Sequence, residues 1–191
     1  MSNFDKIAEK TVATYLGKIA EKIATPGGGA VSAVVAAEGC SLIAMVANFS
    51  TTQTTKIIAD RALMSIEKLL ELGDQDALAF ESVVQAFKGK GDISHASKGA
   101  AIIPSEIIKI CYEHIDDLEY LSSKGNQNLI TDTAISAMLL NSAVQSSELN
   151  ILINMKNFDD VSLNIKVALD TVPIAAERLQ QIGRKIKAGI L

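Results

Sequence analysis

The chain has 191 residues, with 18 Lys plus Arg against 22 Asp plus Glu for a net charge of −4, and aromatics make up only 4% of it with no Trp. The length fits one domain or at most two small ones, the globular composition argues against disorder, collagen and low complexity, and the acidic balance argues against nucleic acid as a main partner, because phosphate binding needs a basic footprint. With so few aromatics, the core must be filled by Ala, Ile, Leu and Val, which suits closely approaching helices.

Helical periodicity dominates from end to end. The opening MSNFDKIAEK has no apolar run and does not read as a signal peptide. A first helix is expected over about 5–23, with Val12, Leu16, Ile19, Ala20 and Ile23 as its apolar face. Thr25-Pro26-Gly27-Gly28-Gly29 breaks it, since Pro and three Gly do not propagate a helix. A second helix follows over about 29–50. Residues 28–49 are long enough to span a bilayer, but they are rich in Ala, Gly and Ser and have no close basic flank. They read as a core helix buried on all sides, with no membrane contact.

Any hydroxyl of the turn at 50–55 can cap the third helix, expected over about 55–87. Ile58, Ala62, Ile66, Leu69, Leu72, Phe80, Val83 and Phe87 trace its apolar stripe, and Lys88-Gly89-Lys90-Gly91 ends it. A fourth stretch over about 94–123 contains Pro104, so either it kinks or two shorter helices meet. After the loop at 125–128 a fifth helix, capped by Thr131, runs to about 156. The last covers about 160–191, kinked or split at Pro173. No repeat and no linker divides the chain. The expectation is an all-α, single-domain bundle of five to seven helices over 1–191.

Several polar residues fall in apolar places. Asp76 lies on the third helix's core-facing stripe. A carboxylate there is costly unless paired, and its raised pKa would suit acid–base work; a salt bridge or a capped helix end are the other readings. Asp74 falls nearer the polar side. On the fifth helix Asp132, Ser136, Ala143, Ser147, Asn150 and Asn154 share one small, polar face. That face either lines a cleft or meets solvent, while Ile135, Met138, Leu139, Leu149, Leu152 and Ile153 read as core. Glu38 is either a buried acid or paired across helices. His95 and His114 stand at no metal-ligand spacing, so no metal site is expected. There is no cue for a Ser-His-Asp arrangement. Cys40 and Cys111 read as reduced, buried thiols of a cytoplasmic protein. The glycine turn leads straight into the second helix, whose free N–H groups could receive an anion or simply permit tight packing.

These segments together resemble a known family. TPGGGAV at 25–31 with MVAN at 45–48, DQDALAF at 74–80, Ile103-Pro104, Gly125-Asn126 followed by Thr131-Asp132, and NILIN at 150–154 look like the ordered motifs of the formiminotetrahydrofolate cyclodeaminase and methenyltetrahydrofolate cyclohydrolase family. The resemblance implies a helical homodimer with a folate site in a cleft near the dimer interface. It implies no cofactor beyond a tetrahydrofolate-type substrate. Asp76 and Asp132 would be catalytic, and Thr25, Pro26, Gly27, Gly28, Gly29, Asn126, Asn150 and Asn154 would bind substrate. The chain departs from the pattern at 51–55, Thr-rich where relatives are Lys-rich, at 88–91, and at Glu38. Lys88, Lys90 or Lys98 would then have to meet the anionic tail of a folate. The alternative is a catalytically altered helical dimer that binds a folate-like anion or a protein partner.

Overall fold

The computed structural model describes residues 6–190, and all regular structure among them is helical. A 3-10 turn at Ile7–Glu9 precedes α1 (Val12–Ala20), α2 (Gly28–Asn48), α3 (Gln53–Phe87), α4 (Ile93–Glu113) and α5 (Ile115–Lys124). A second 3-10 turn, Gln127–Leu129, leads into α6 (Ile130–Met155), and α7 (Leu163–Ile190) follows.

Side chains from neighbouring turns define the helix starts. Thr11 caps α1, Thr52 and Thr55 form a reciprocal capping box for α3, and Asp92 accepts from the Ser94 and His95 N–H groups at the head of α4. Gly89 adopts φ 77° just past α3, a conformation that costs a glycine little.

α2 is the central element, packed mainly on α3 and α6, while α6 also meets α4 and α7. Among the described residues α2 alone is long and apolar enough to cross a membrane by length and composition. Its small residues explain its place. Ala33, Ala36, Ala37, Cys40, Ala44 and Ala47 are buried, and a Cβ on Gly39 would stand 2.7 Å from Leu140 Cδ2. α2 and α6 therefore meet almost backbone to backbone, and the Ser136 hydroxyl donates to the Gly39 carbonyl at 2.8 Å. Ile and Leu supply nearly all the largest fully buried side chains, each contributing about 1.5–3 kcal/mol.

Several sequence expectations are corrected. The start placed at residue 5 lies outside the described residues, and the helix expected over 5–23 is a 3-10 turn followed by the shorter α1. Of α1 only Tyr15 is buried, whereas Val12, Leu16 and Ile23 are exposed. Phe80 and Phe87 are exposed, so the α3 stripe is interrupted there. Pro104 and Pro173 stay inside intact helices, and the break in the fourth stretch falls at His114 instead. α6 begins at Ile130 without a side-chain cap, so Thr131 caps nothing. α7 starts at Leu163, and Leu191 lies outside the described residues.

The faces of α6 are inverted relative to expectation. Ser136, Ala143 and Ser147 are buried, while Ile135, Met138, Leu149, Leu152 and Ile153 are exposed. The buried face of α6 mixes these small residues with Leu140, Val144 and Ile151, and Leu140 packs on Gly39 of α2; the remaining bulky residues turn outward. Glu38 is likewise on an exposed position of α2, neither buried nor in a cross-helix ion pair among the described residues.

Candidate active site

The N-terminus of α2 is the focus. Gly27 occupies the cap position with no side-chain cap bond, which leaves the first N–H groups of the helix to outside partners. Asp76, arriving from α3, supplies one: its Oδ2 accepts from the Ala30 N–H at 3.0 Å. A Cβ on Gly29 would overlap Oδ1, Cγ and Oδ2 of that carboxylate together. The glycine is therefore what lets the acid lie directly on the helix start. Of the readings open for Asp76, an acid–base group, a salt bridge or a capped helix end, no salt bridge forms among the described residues, and the carboxylate caps α2 through the Ala30 N–H.

Burial raises the Asp76 carboxyl above its ordinary 3.8, and the Ala30 N–H pulls it partly back. Burial wins because one backbone donor does not replace the hydration of a carboxylate. Asp74, expected to be solvated, is half-buried and accepts from the Ile7 N–H at 3.0 Å, which docks the first 3-10 turn against α3.

α6 closes a second side. Ser32 Oγ lies 2.8 Å from the Gly28 carbonyl oxygen and 2.9 Å from Ser146 Oγ, its one proton shared between them, and this stitches the first turn of α2 to α6. One turn along, Asn150 Oδ1 lies 4.0 Å from where a Cβ on Gly28 would stand, while its amide donates to the Ser146 carbonyl at 2.9 Å. The Asn154 amide donates to the Asn150 carbonyl at 2.8 Å. α1 closes a third side with Tyr15, whose hydroxyl is buried without a hydrogen-bond partner among the described residues. Burial, then Glu38 and Asp76, push this phenol up to about 12. Beside it lies a cavity of about 280 Å³ walled by Tyr15, Thr25, Pro26, Gly73, Asp74, Lys10 and Lys18. The Thr25–Pro26 peptide is cis.

One chain thus gathers Thr25, Pro26, Gly27, Gly28, Gly29, Asp76, Asn150 and Asn154 at one end. It does not bring Asn126 or Asp132 there. Asn126 sits past the other end of α2, where its N–H donates to Ser50 Oγ at 2.9 Å and its amide to the Phe49 carbonyl at 3.2 Å. Asp132 lies in the first turn of α6, about 27 Å from Asn150 at 1.5 Å per residue. Of the lysines considered for an anionic tail, Lys98 is engaged by Asp160 at 3.3 Å. The cavity is flanked by Lys10 and by Lys18, which Glu21 engages at 3.3 Å in the same way. Among the described residues no three of His, Cys, Asp and Glu form a metal-ligand set.

The sequence reading missed two features. Tyr15 is one; a phenol set among Val12, Leu16 and Ile19 was the available signal. The other is a buried chain of polar contacts. Ser65 Oγ lies 2.8 Å from His114 Nε2, and His114 Nδ1 lies 2.8 Å from Asp117 Oδ2. Arg61 clasps the same carboxylate through Nε, at 3.1 Å, and Nη2. The order Ser–His–Asp is that of a nucleophile relay. Ser65, however, sits in the middle of α3, where the neighbouring N–H groups belong to the helix ladder and offer no oxyanion donors. The cluster ties α3 to the α4–α5 corner.

The comparisons with known proteins agree with one another. The family model described as formiminotransferase-cyclodeaminase matches residues 11–169. The chain is 28% identical over 202 residues to a methenyltetrahydrofolate cyclohydrolase of Methylorubrum extorquens, across 95% of this chain and 92% of that protein. It is 24% identical to the formimidoyltransferase-cyclodeaminase of Sus scrofa, covering 84% of this chain but only 33% of that longer protein. The crystal structure of a formiminotetrahydrofolate cyclodeaminase from Thermotoga maritima superposes with a TM-score of 0.85 at 30% identity, over 96% of both chains.

Proposed function

The chain belongs to the formiminotransferase-cyclodeaminase family, and from that premise we propose that it acts on the one-carbon unit of a tetrahydrofolate derivative, as a cyclodeaminase or a cyclohydrolase. The observation that carries this reading is the Asp76 carboxylate, held on the α2 N-terminus with its pKa raised by burial. In both reactions a tetrahedral carbon forms beside a positively polarised nitrogen. Ionised, Asp76 stabilises that cation; protonated, it returns a proton to the departing nitrogen. Asn150 and Asn154 orient the substrate, and the bare glycine backbone admits it closely. No cofactor beyond the substrate is proposed.

The working unit in this proposal is a homodimer. Support comes from the exposed seam of α6, where Ile135 and Met138 near one end mirror Leu152 and Leu149 near the other. An isologous, antiparallel α6 pair would set Ile135 opposite the partner's Leu152 and bring the partner's Asp132 level with Asn154. That would unite the two ends that one chain keeps apart, and the Asn126 loop would approach with Asp132. We place the protein in the cytoplasm, because Cys40 and Cys111 are both free and buried. Burial pushes the Cys40 thiol up to about 12, so it stays protonated and inert.

The test is turnover by the purified protein. Methenyl-tetrahydrofolate should lose its absorbance faster than it does spontaneously, or the formimino substrate should release ammonia; the two assays separate the two activities. Asp76→Asn should lower the rate by about 10²–10⁴-fold. Saturable folate binding without turnover would instead establish the non-catalytic binding dimer. Full activity in Asp76→Asn would remove Asp76 from the chemistry, and a monomer by sedimentation at micromolar concentration would remove the shared site.

A further inference from the structure

We propose that Tyr15 is a further substrate-binding residue, its phenol donating a hydrogen bond to an acceptor atom of the bound tetrahydrofolate derivative; the inference rests on the folate reading above. Tyr15 is only 8% exposed, and its hydroxyl is sealed from solvent with no partner among the described residues. A hydroxyl withdrawn from water and left unbonded is a net cost, and Phe would fill the same volume without it. Stability of this chain therefore gives no reason for the oxygen, but a ligand does.

The surroundings support this. Glu38 and Asp76 lie close enough to act electrostatically on the phenol, yet neither accepts its proton. Asp76 is turned instead to the Ala30 N–H. The Tyr15 side chain walls the cavity that also reaches Thr25 and Pro26, the start of the glycine turn. The same burial and the two acids keep the phenol protonated up to about 12. It is therefore a neutral donor at every working pH and never the base. The site then offers complementary groups: an acid at Asp76 for the developing cation and a neutral donor at Tyr15 for a carbonyl or ring nitrogen.

The experiment compares wild type with Tyr15→Phe. Binding of 5-formyl-tetrahydrofolate, a stable probe, is measured by calorimetry, together with KM and kcat on the methenyl and formimino substrates. Loss of the hydrogen bond should weaken binding and raise KM about tenfold, with kcat changed little. The melting temperature should be equal to or above that of wild type. Folate should also perturb the phenol absorbance of wild type, and this signal should be absent in Tyr15→Phe. Unchanged binding and KM in the variant overturn the proposal, as does a fall of several degrees in melting temperature, which would make the hydroxyl a structural group. Wild type that neither binds nor turns over any folate overturns the parent reading and this inference with it. Active wild type with an equally active variant overturns this inference alone.

Discussion

Asp117 and Asp76 are two carboxylates set among helices, and the more deeply buried one is not at the candidate site. Asp117 is 3% exposed, yet Arg61 clasps both of its oxygens and His114 meets one of them. Asp76 is less buried, but a single backbone N–H is its one hydrogen-bond donor among the described residues. Depth alone therefore does not separate a bracing carboxylate from one with bonding capacity to spare. Asp117, Arg61, His114 and Ser65 satisfy one another and brace three helices. Around the glycine turn Asp76, the Asn150 side-chain oxygen near Gly28 and the nearby Tyr15 hydroxyl, unbonded among the described residues, leave capacity unfilled.

The comparison breaks most sharply at Asp117. Asp117→Ala leaves buried His114 Nδ1 without its partner while half-exposed Arg61 turns to water; an unsatisfied buried group costs about 1–3 kcal/mol, and the cavity left by the side chain adds to it. The variant should unfold at much lower urea, while kcat and KM of the fraction that remains folded stay those of wild type. If it keeps wild-type stability and loses turnover, the Ser65–His114–Asp117 chain is a reaction site and the distinction drawn above is wrong.

Gly29→Ala tests the other side with a smaller expected effect on stability. The new methyl displaces the Asp76 carboxylate and breaks its bond to Ala30, an overpacking cost of about 1–3 kcal/mol. Turnover should fall in parallel with Asp76→Asn, because the acid no longer lies on the helix start. Chemical denaturation and initial rates on the same preparation check both numbers. Retained activity would mean that the carboxylate works from another position.

Much of this arrangement was legible in the sequence. Proline and glycine punctuation and the 3.6 period marked the helices, and Asp76 stood out because its spacing placed an acid on an apolar stripe. The faces of α6 were not legible. Periodicity separates a bulky stripe from a small one, but which turns inward depends on the surface opposite. The surface of α2 around Gly39 takes Ser136 and Leu140, and Met138, 58% exposed, stays outside. The His114 cluster was hidden for a different reason: Ser65 and His114 are 49 positions apart, and no local pattern links them. Asn126 and Asp132 could be named as site residues from the resemblance, but one chain does not unite them with Asp76.

The gentlest test of the comparison is the pH dependence of stability. In the folded state the Asp76 carboxyl titrates above its ordinary 3.8 because burial disfavours the ion more than the Ala30 N–H favours it. The native state therefore holds this proton more firmly than the unfolded chain does. Its contribution to stability is fully present below the ordinary carboxylate value and is lost as pH rises through the folded one. Asn at this position keeps an oxygen for the Ala30 N–H and carries no charge to desolvate. Urea unfolding from pH 4 to 7 should show Asp76→Asn more stable than wild type at pH 7, with the gap closing on acidification. Taking the difference between the two proteins cancels the other carboxylates. A gap that stays constant with pH, or widens toward pH 4, would mean that Asp76 is as well satisfied as Asp117.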